Sequence, residues 1–181
     1  MPRMARPVQP PPVKLVCGMI SSKPDLFDAA ARALSRRYGP VDVRSELLEF
    51  DFTPYYENEM GPGLKRLFVS FEPLLAPERL TDVKLDSNAI EDELAQQAEV
   101  ARPINLDPGY VTEANLVLAS MKRFAHRIYL RDGVHAEVTL LYRKGDWKPL
   151  PWTFPDFAAG TYNRFLSESR NKLRQQLQEG A

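Results

Sequence analysis

The sequence predicts a single α+β domain with a ferredoxin-like β-α-β-β-α-β core, extended by a short helix, a β-hairpin and a long C-terminal helix. Three observations carry that expectation. The chain has 181 residues, the length of one domain. Its 44% hydrophobic and 27% charged residues are the balance of a chain that folds around a core. Apolar runs of strand length alternate with apolar positions at helical spacing, with no internal repeat and no second linker between them.

Residues 1–12 hold Pro2, Pro7, Pro10, Pro11 and Pro12 beside Arg3 and Arg6, so they read as a disordered, polyproline-like arm before a domain at 13–181. This arm has neither the apolar core nor the small-residue cleavage site of a secretory signal, and a cytoplasmic protein is expected. Residues 13–20 form a nearly continuous apolar run that suits a central strand covered on both faces. Ser22 is placed to cap a helix whose first turn holds Pro24 and Asp25. Phe27, Ala31, Leu34 and Tyr38 follow at helical spacing until Gly39-Pro40 stops it.

Residues 41–52 read as extended and 64–75 as the next strand, with Gly61, Pro62 and Gly63 in the loop between. Leu80, Val83, Ser87, Ile90 and Leu94 give a helix over 78–97 one buried stripe. A short strand at 103–106 then ends in Asp107-Pro108-Gly109, where Pro followed by Gly signals a type II turn. Thr112 is expected to cap a short helix through Leu116, Val117 and Met121. After a hairpin at 126–142, Tyr162, Leu166, Ser169, Leu173 and Leu177 mark the long last helix.

Turn chemistry sets the hairpin's expected register. Arg131-Asp132-Gly133 fits a three-residue loop with Gly in the left-handed position. That loop puts Leu130 opposite Val134, Tyr129 opposite His135, Ile128 opposite Ala136 and Arg127 opposite Glu137. One face then carries Ile128, Leu130, Val134, Ala136, Val138 and Leu140; the other carries Arg127, Tyr129, His135, Glu137 and Thr139. His126 falls with the apolar set, as a hydrogen-bonded core histidine.

The polar face supplies the candidate chemistry. Lys122 and Arg127 would hold an anion, Tyr129 would stack or hydrogen-bond, and Glu137 with His135 would orient Arg127 or move a proton. The plainer alternative is a solvated sheet face. Asp107 and Gly109, in a turn leading to a helix N-terminus, are the other candidate ligand contacts. Residues 115–150 carry seven Lys and Arg against three Asp and Glu, which favours an anionic ligand there. An acidic stretch containing Asp51 and Glu57 is the one place that would suit Mg²⁺, and no other cofactor is expected.

Other features exclude functions. With 24 Lys+Arg against 24 Asp+Glu, the chain has no general electrostatic drive toward nucleic acid or anionic membrane. The longest apolar run is far too short to span a bilayer. Cys17 is the one cysteine, so neither an intrachain disulfide nor a cysteine metal cluster forms, and its apolar neighbours make it a core residue. The phosphate-loop, dinucleotide, nucleophile-elbow and zinc-protease motifs are all missing.

Several short stretches resemble a known family when taken together. They include Phe50-Asp51-Phe52-Thr53-Pro54-Tyr55-Tyr56, Glu59-Met60-Gly61, Ser70-Phe71-Glu72 and Asn105-Leu106-Asp107-Pro108-Gly109-Tyr110. Lys122 followed by His126-Arg127-Ile128-Tyr129-Leu130, then Ala136-Glu137-Val138-Thr139-Leu140 and Trp152-Thr153-Phe154-Pro155-Asp156, complete the set. The chain resembles the uncharacterised bacterial family called domain of unknown function 4416. That resemblance implies a small bacterial cytosolic protein and assigns no reaction or functional residue. The residues themselves suggest binding of, or enzymatic action on, a phosphorylated or nucleotide-like small ligand at the polar sheet face. A non-catalytic protein- or RNA-interaction module is the alternative.

Overall fold

Val13–Ser21 forms a strand, β1, buried along its whole length, as its apolar run predicts. In the computed structural model it is the axis of a nine-stranded sheet among the described residues, which are 6–52, 57–96, 98 and 100–180. The order along the chain is β1, α1 (Pro24–Tyr38), β2 (Val41–Arg44), β3 (Leu48–Glu49), α2 (Glu57–Met60), β4 (Lys65–Leu75), α3 (Leu80–Ala95), β5 (Asn105–Val111) and β6 (Asn115–Ser120). Then come β7 (Ile128–Arg131), β8 (Val134–Arg143), β9 (Asp146–Pro149), α4 (Pro155–Ala158) and α5 (Asn163–Glu179). The strands lie side by side as β2-β4-β1-β5-β6-β8-β7, with β3 on β4 and β9 on β8. Every pairing is antiparallel.

Helices cover both faces because β1 is apolar at both parities. Leu15, Cys17 and Met19 pack with Phe27, Leu34, Val83 and Ile90 of α1 and α3. Val16, on the other face, packs with Phe68, Leu118, Phe157, Phe165 and Leu166 under α4 and α5. The predicted stripes of α3 and α5 are buried except at Leu94 and Leu177, which are half-buried, and Lys84 and Phe165 beside them are buried too. None of the described helices is long and apolar enough to cross a membrane. Residues 6–12 of the arm are exposed, without helix or strand, and residues 1–5 lie outside the described residues.

Four local expectations need correction. Ser22 does not cap α1: its hydroxyl donates to Met60 O at 3.3 Å, while Ser21 Oγ accepts from Lys23 N–H. Asp107-Pro108-Gly109 is not a turn but the middle of β5. The short helix after Thr112 is strand β6 instead. Thr112 shapes the β5–β6 hairpin, its hydroxyl accepting from the N–H groups of Ala114 and Asn115 at 3.0 Å.

The fourth correction concerns the β7–β8 hairpin. Tyr129 does face His135 and Ile128 does face Ala136, but Arg131 pairs directly with Val134. Asp132 and Gly133 therefore close a two-residue turn, both at positive φ (52° and 79°). A register shift between Tyr129 and Arg131 restores the register further out. A second shift, opposite Leu116 and Val117, makes Thr139 the extra residue of β8 and turns Leu140 to the face opposite Val138. Lys144-Gly145 repeats the two-residue turn and adds β9, which was not expected.

Candidate functional site

β5 and β6 pair only from Gly109↔Leu118 to Val111↔Leu116. Toward the other end they part. Residues 105–108 stay with β1, whereas Ala119 and Ser120 stay with β8. The split leaves the β6-facing backbone of Leu106 without a strand partner. Two side chains of α3 fill that role: Glu91 Oε1 accepts from Leu106 N–H at 2.5 Å, and Lys84 Nζ donates to Leu106 O at 2.9 Å. Pro108, two residues on, has the same orientation, so its missing N–H points where no strand needs it. Gly109 is needed for close packing, since a Cβ there would lie 2.3 Å from Val117 O and 2.6 Å from Leu118 Cδ2.

The split opens into a cavity of about 620 Å³. On its β5 wall Asp107 meets Arg66 of β4 at 3.2 Å, and Arg66 is buried. Arg102 donates to Asn105 Oδ1 and lies 3.7 Å from both Glu59 and Glu91. Lys84 and Asn88 of α3 line it from below, and Phe154 to Phe157 from the α5 side. Asp156 is buried there and accepts the Tyr162 hydroxyl at 2.9 Å. Burial pushes the Tyr162 phenol up, and burial likewise raises the Glu91 carboxyl.

The opposite wall is organised by Glu137, 3% exposed on β8. Its Oε2 meets both Arg127 Nε at 2.7 Å and His126 Nε2 at 2.8 Å. Arg127 Nη1 also donates to Lys122 O at 3.0 Å, tying β8 to the segment leaving β6. His126 stacks on Trp152, ring centroids 5.2 Å apart and planes within 10°. The Thr139 bulge explains Trp152's position. β7 pairs with β8 up to Ala136 and β9 begins at Leu140, so the edge between them is open. Trp152 Nε1 donates to Val138 O at 2.8 Å, and Thr153 Oγ1 to Thr139 O at 2.5 Å. One bulge thus recruits the tryptophan that supports the histidine on Glu137.

The expected site residues divide between places. Lys122, Arg127, Glu137 and Asp107 line the main cavity. Tyr129 and His135 line a neighbouring hollow with Arg123, Phe124 and Arg127, their rings edge-to-face at 5.3 Å. Gly109 packs under Leu118. His126 bonds Glu137 on the polar side instead of joining the apolar set. His135 and Glu137 of the face expected to be polar are buried, as is Val134 of the apolar face, whereas Tyr129 and Ile128, one from each face, are exposed on β7. Asp51 is exposed, and the side chain of Glu57 lies outside the described residues. Among the described residues, no group of three or more His, Cys, Asp or Glu is arranged to hold a metal.

A family model described as Domain of unknown function (DUF4416) matches residues 11–173. The chain belongs to this family. No curated protein and no solved structure matches it. The matched span contains both walls of the cleft, so the split sheet lies within the DUF4416 domain itself.

Sequence reading missed Arg66, Lys84, Asn105 and Asp156. Arg66 did leave a signal, because it shares Phe68's inward parity in an apolar strand. Lys84 and Glu91, seven residues apart, flank the buried stripe of α3 and so lie on one side of that helix.

Proposed function

We propose that the protein binds, or acts on, a phosphorylated small ligand in the cleft between β5 and β6. The observation that carries this reading is the lining of the 620 Å³ cavity, where among the described residues five Lys and Arg stand against three Asp and Glu. That volume suits a small-molecule site, and a cationic excess within low-dielectric walls attracts an anion. Lys84 is a buried ammonium whose hydrogen-bond acceptor is a neutral carbonyl. Lys122 and Arg127 would meet the anion at the other wall, with Glu137 orienting the Arg127 fork. In the same spirit, we read strands β2-β4-β1-β5 with α1 and α3 as a ferredoxin-like unit that β6 to β9 extend.

A thermal-shift screen of sugar phosphates and nucleotides tests the reading. A ligand at 100 times its Kd stabilises by about 2.7 kcal/mol. Lys84→Met should abolish the shift while the chain still unfolds cooperatively. A flat screen overturns the proposal.

The outer edge favours a second reading, a protein-interaction module. β7 is an edge strand that exposes Ile128, Tyr129 and Leu130, with exposed Phe124 beside it. A partner adding a strand there would cover these side chains. A flat ligand screen together with a partner-dependent rise in stability would favour this second reading.

A further inference from the structure

Asn105 is 2% exposed and lines the cleft. Its amide orientation is fixed by chemistry. Arg102 donates to Oδ1, and a guanidinium has no acceptor to offer, so the oxygen must face Arg102 and the NH₂ must face away. That Nδ2 is buried and has no acceptor among the described residues. Leaving a buried donor without an acceptor costs stability, and a bound ligand would supply the missing acceptor. The surroundings are aromatic. Asn105 pairs with Ile20, which packs with Phe50. The Phe50 and Phe52 rings lie 6.1 Å apart, and both line the cavity, as does Phe154. Phe52 and Phe154 are 36% and 42% exposed, so each offers a ring to a ligand.

We propose that this end of the cleft holds a planar heteroaromatic ring bearing a carbonyl oxygen or ring nitrogen, and that the ligand is a nucleoside phosphate. This inference rests on the anion site proposed above and names its ligand class. Asn105 Nδ2 donates to the ring acceptor, while Phe52 or Phe154 stacks on the ring face. The phosphate reaches across the mouth of the split to Lys122. If the Gly109↔Leu118 pairing continued outward, Lys122 would stand opposite Asn105, so the two residues flank the opening. Asn105 is a specificity-determining residue here.

Calorimetric titration of the full chain with nucleoside 5′-monophosphates, ribose 5-phosphate and inorganic phosphate tests this. At least one nucleotide should bind about tenfold or more tighter than ribose 5-phosphate. Asn105→Asp keeps an acceptor for Arg102 but removes the donor, so it should lose that preference while ribose 5-phosphate binding persists. Phe52→Ala, at an exposed position where folding is not at stake, should weaken the nucleotide alone. Equal affinity for nucleotide and ribose 5-phosphate overturns the inference and leaves the anion site standing. Unchanged nucleotide binding in both variants does the same. Failure of every phosphate to bind overturns the anion site and this inference with it.

Discussion

Arg66 reaches Asp107 at 3.2 Å by crossing β1 above Gly18, the residue that pairs with Phe68 on one side and Asp107 on the other. An ideal Cβ at Gly18 would stand 2.7 Å from Arg66 Nη2 and 2.7 Å from Phe68 Cε1. The guanidinium lies over the rings of Phe68, Phe157, Tyr162 and Phe50, 4.8 to 5.7 Å from their centroids. One side chain therefore joins the aromatic cluster beneath α4 and α5 to the carboxylate wall of the cleft. The bare backbone of Gly18 is the condition for that crossing.

Gly18→Ala should accordingly destabilise the protein by about 1–3 kcal/mol, the usual cost of forcing a methyl into a packed core. Chemical denaturation measures it. An alanine variant as stable as the parent would mean that Arg66 does not need the space above Gly18.

Glu137 serves two donors through one oxygen and is almost wholly buried, so it should behave unlike a surface salt bridge. Glu137→Ala strands Arg127 and His126 together and should cost about 3 kcal/mol. A double-mutant cycle of Arg127 and Glu137 should give a coupling above about 1 kcal/mol, the upper range for exposed pairs. A coupling near zero would show that the pair does not hold the β8 wall together.

The parts of the fold legible in sequence are those whose side-chain pattern decides them locally. Phe27, Leu34, Val83 and Ile90 announce α1 and α3 because their spacing is the packing itself. The Tyr129–His135 pairing was legible too, although through a turn of the wrong length that the bulge offsets. β6 was not legible. Leu116, Val117, Leu118 and Ala119 have no decisive period, and Asp107-Pro108-Gly109 before them carries the composition of a turn. Pro108 is tolerated within a strand only because the sheet splits beside it, and Gly109 is needed because the Val117 carbonyl and Leu118 lie against it. Both reasons are tertiary. The candidate site divides the same way. Arg127 and Glu137 face each other from one hairpin, so turn chemistry could pair them. Lys84 and Asn105 reach the cleft from elements far apart in sequence, and only the assembled sheet brings them together.

Cys17 lies on the α1 and α3 face of β1, where burial pushes its thiol far up from the ordinary range. Cys17→Ala should cost about 1 kcal/mol or more through the cavity it leaves. A thiol reagent at pH 8 should label the native protein only as fast as it unfolds. Rapid native labelling would contradict the buried placement.

Glu91 gives a pH dependence whose sign can be worked out. Burial raises its carboxyl, and Lys84, the Leu106 N–H and Arg102 offset this only in part. The folded chain therefore holds a proton that the unfolded chain has already released at about pH 4. Stability contributed by this group is complete below the unfolded value and is lost as pH rises through the higher folded value. Glu91→Gln keeps an oxygen to accept Leu106 N–H and removes the titration. The stability of the parent minus that of Glu91→Gln should consequently fall as pH rises above about 4, other groups cancelling in the difference. Denaturation of both proteins across pH 4–7 reads that difference directly. A difference that instead rises with pH would show that Lys84 and Arg102 favour the carboxylate more than burial penalises it. The side chain lining the split would then be held in place by its ion pairs and not at their expense.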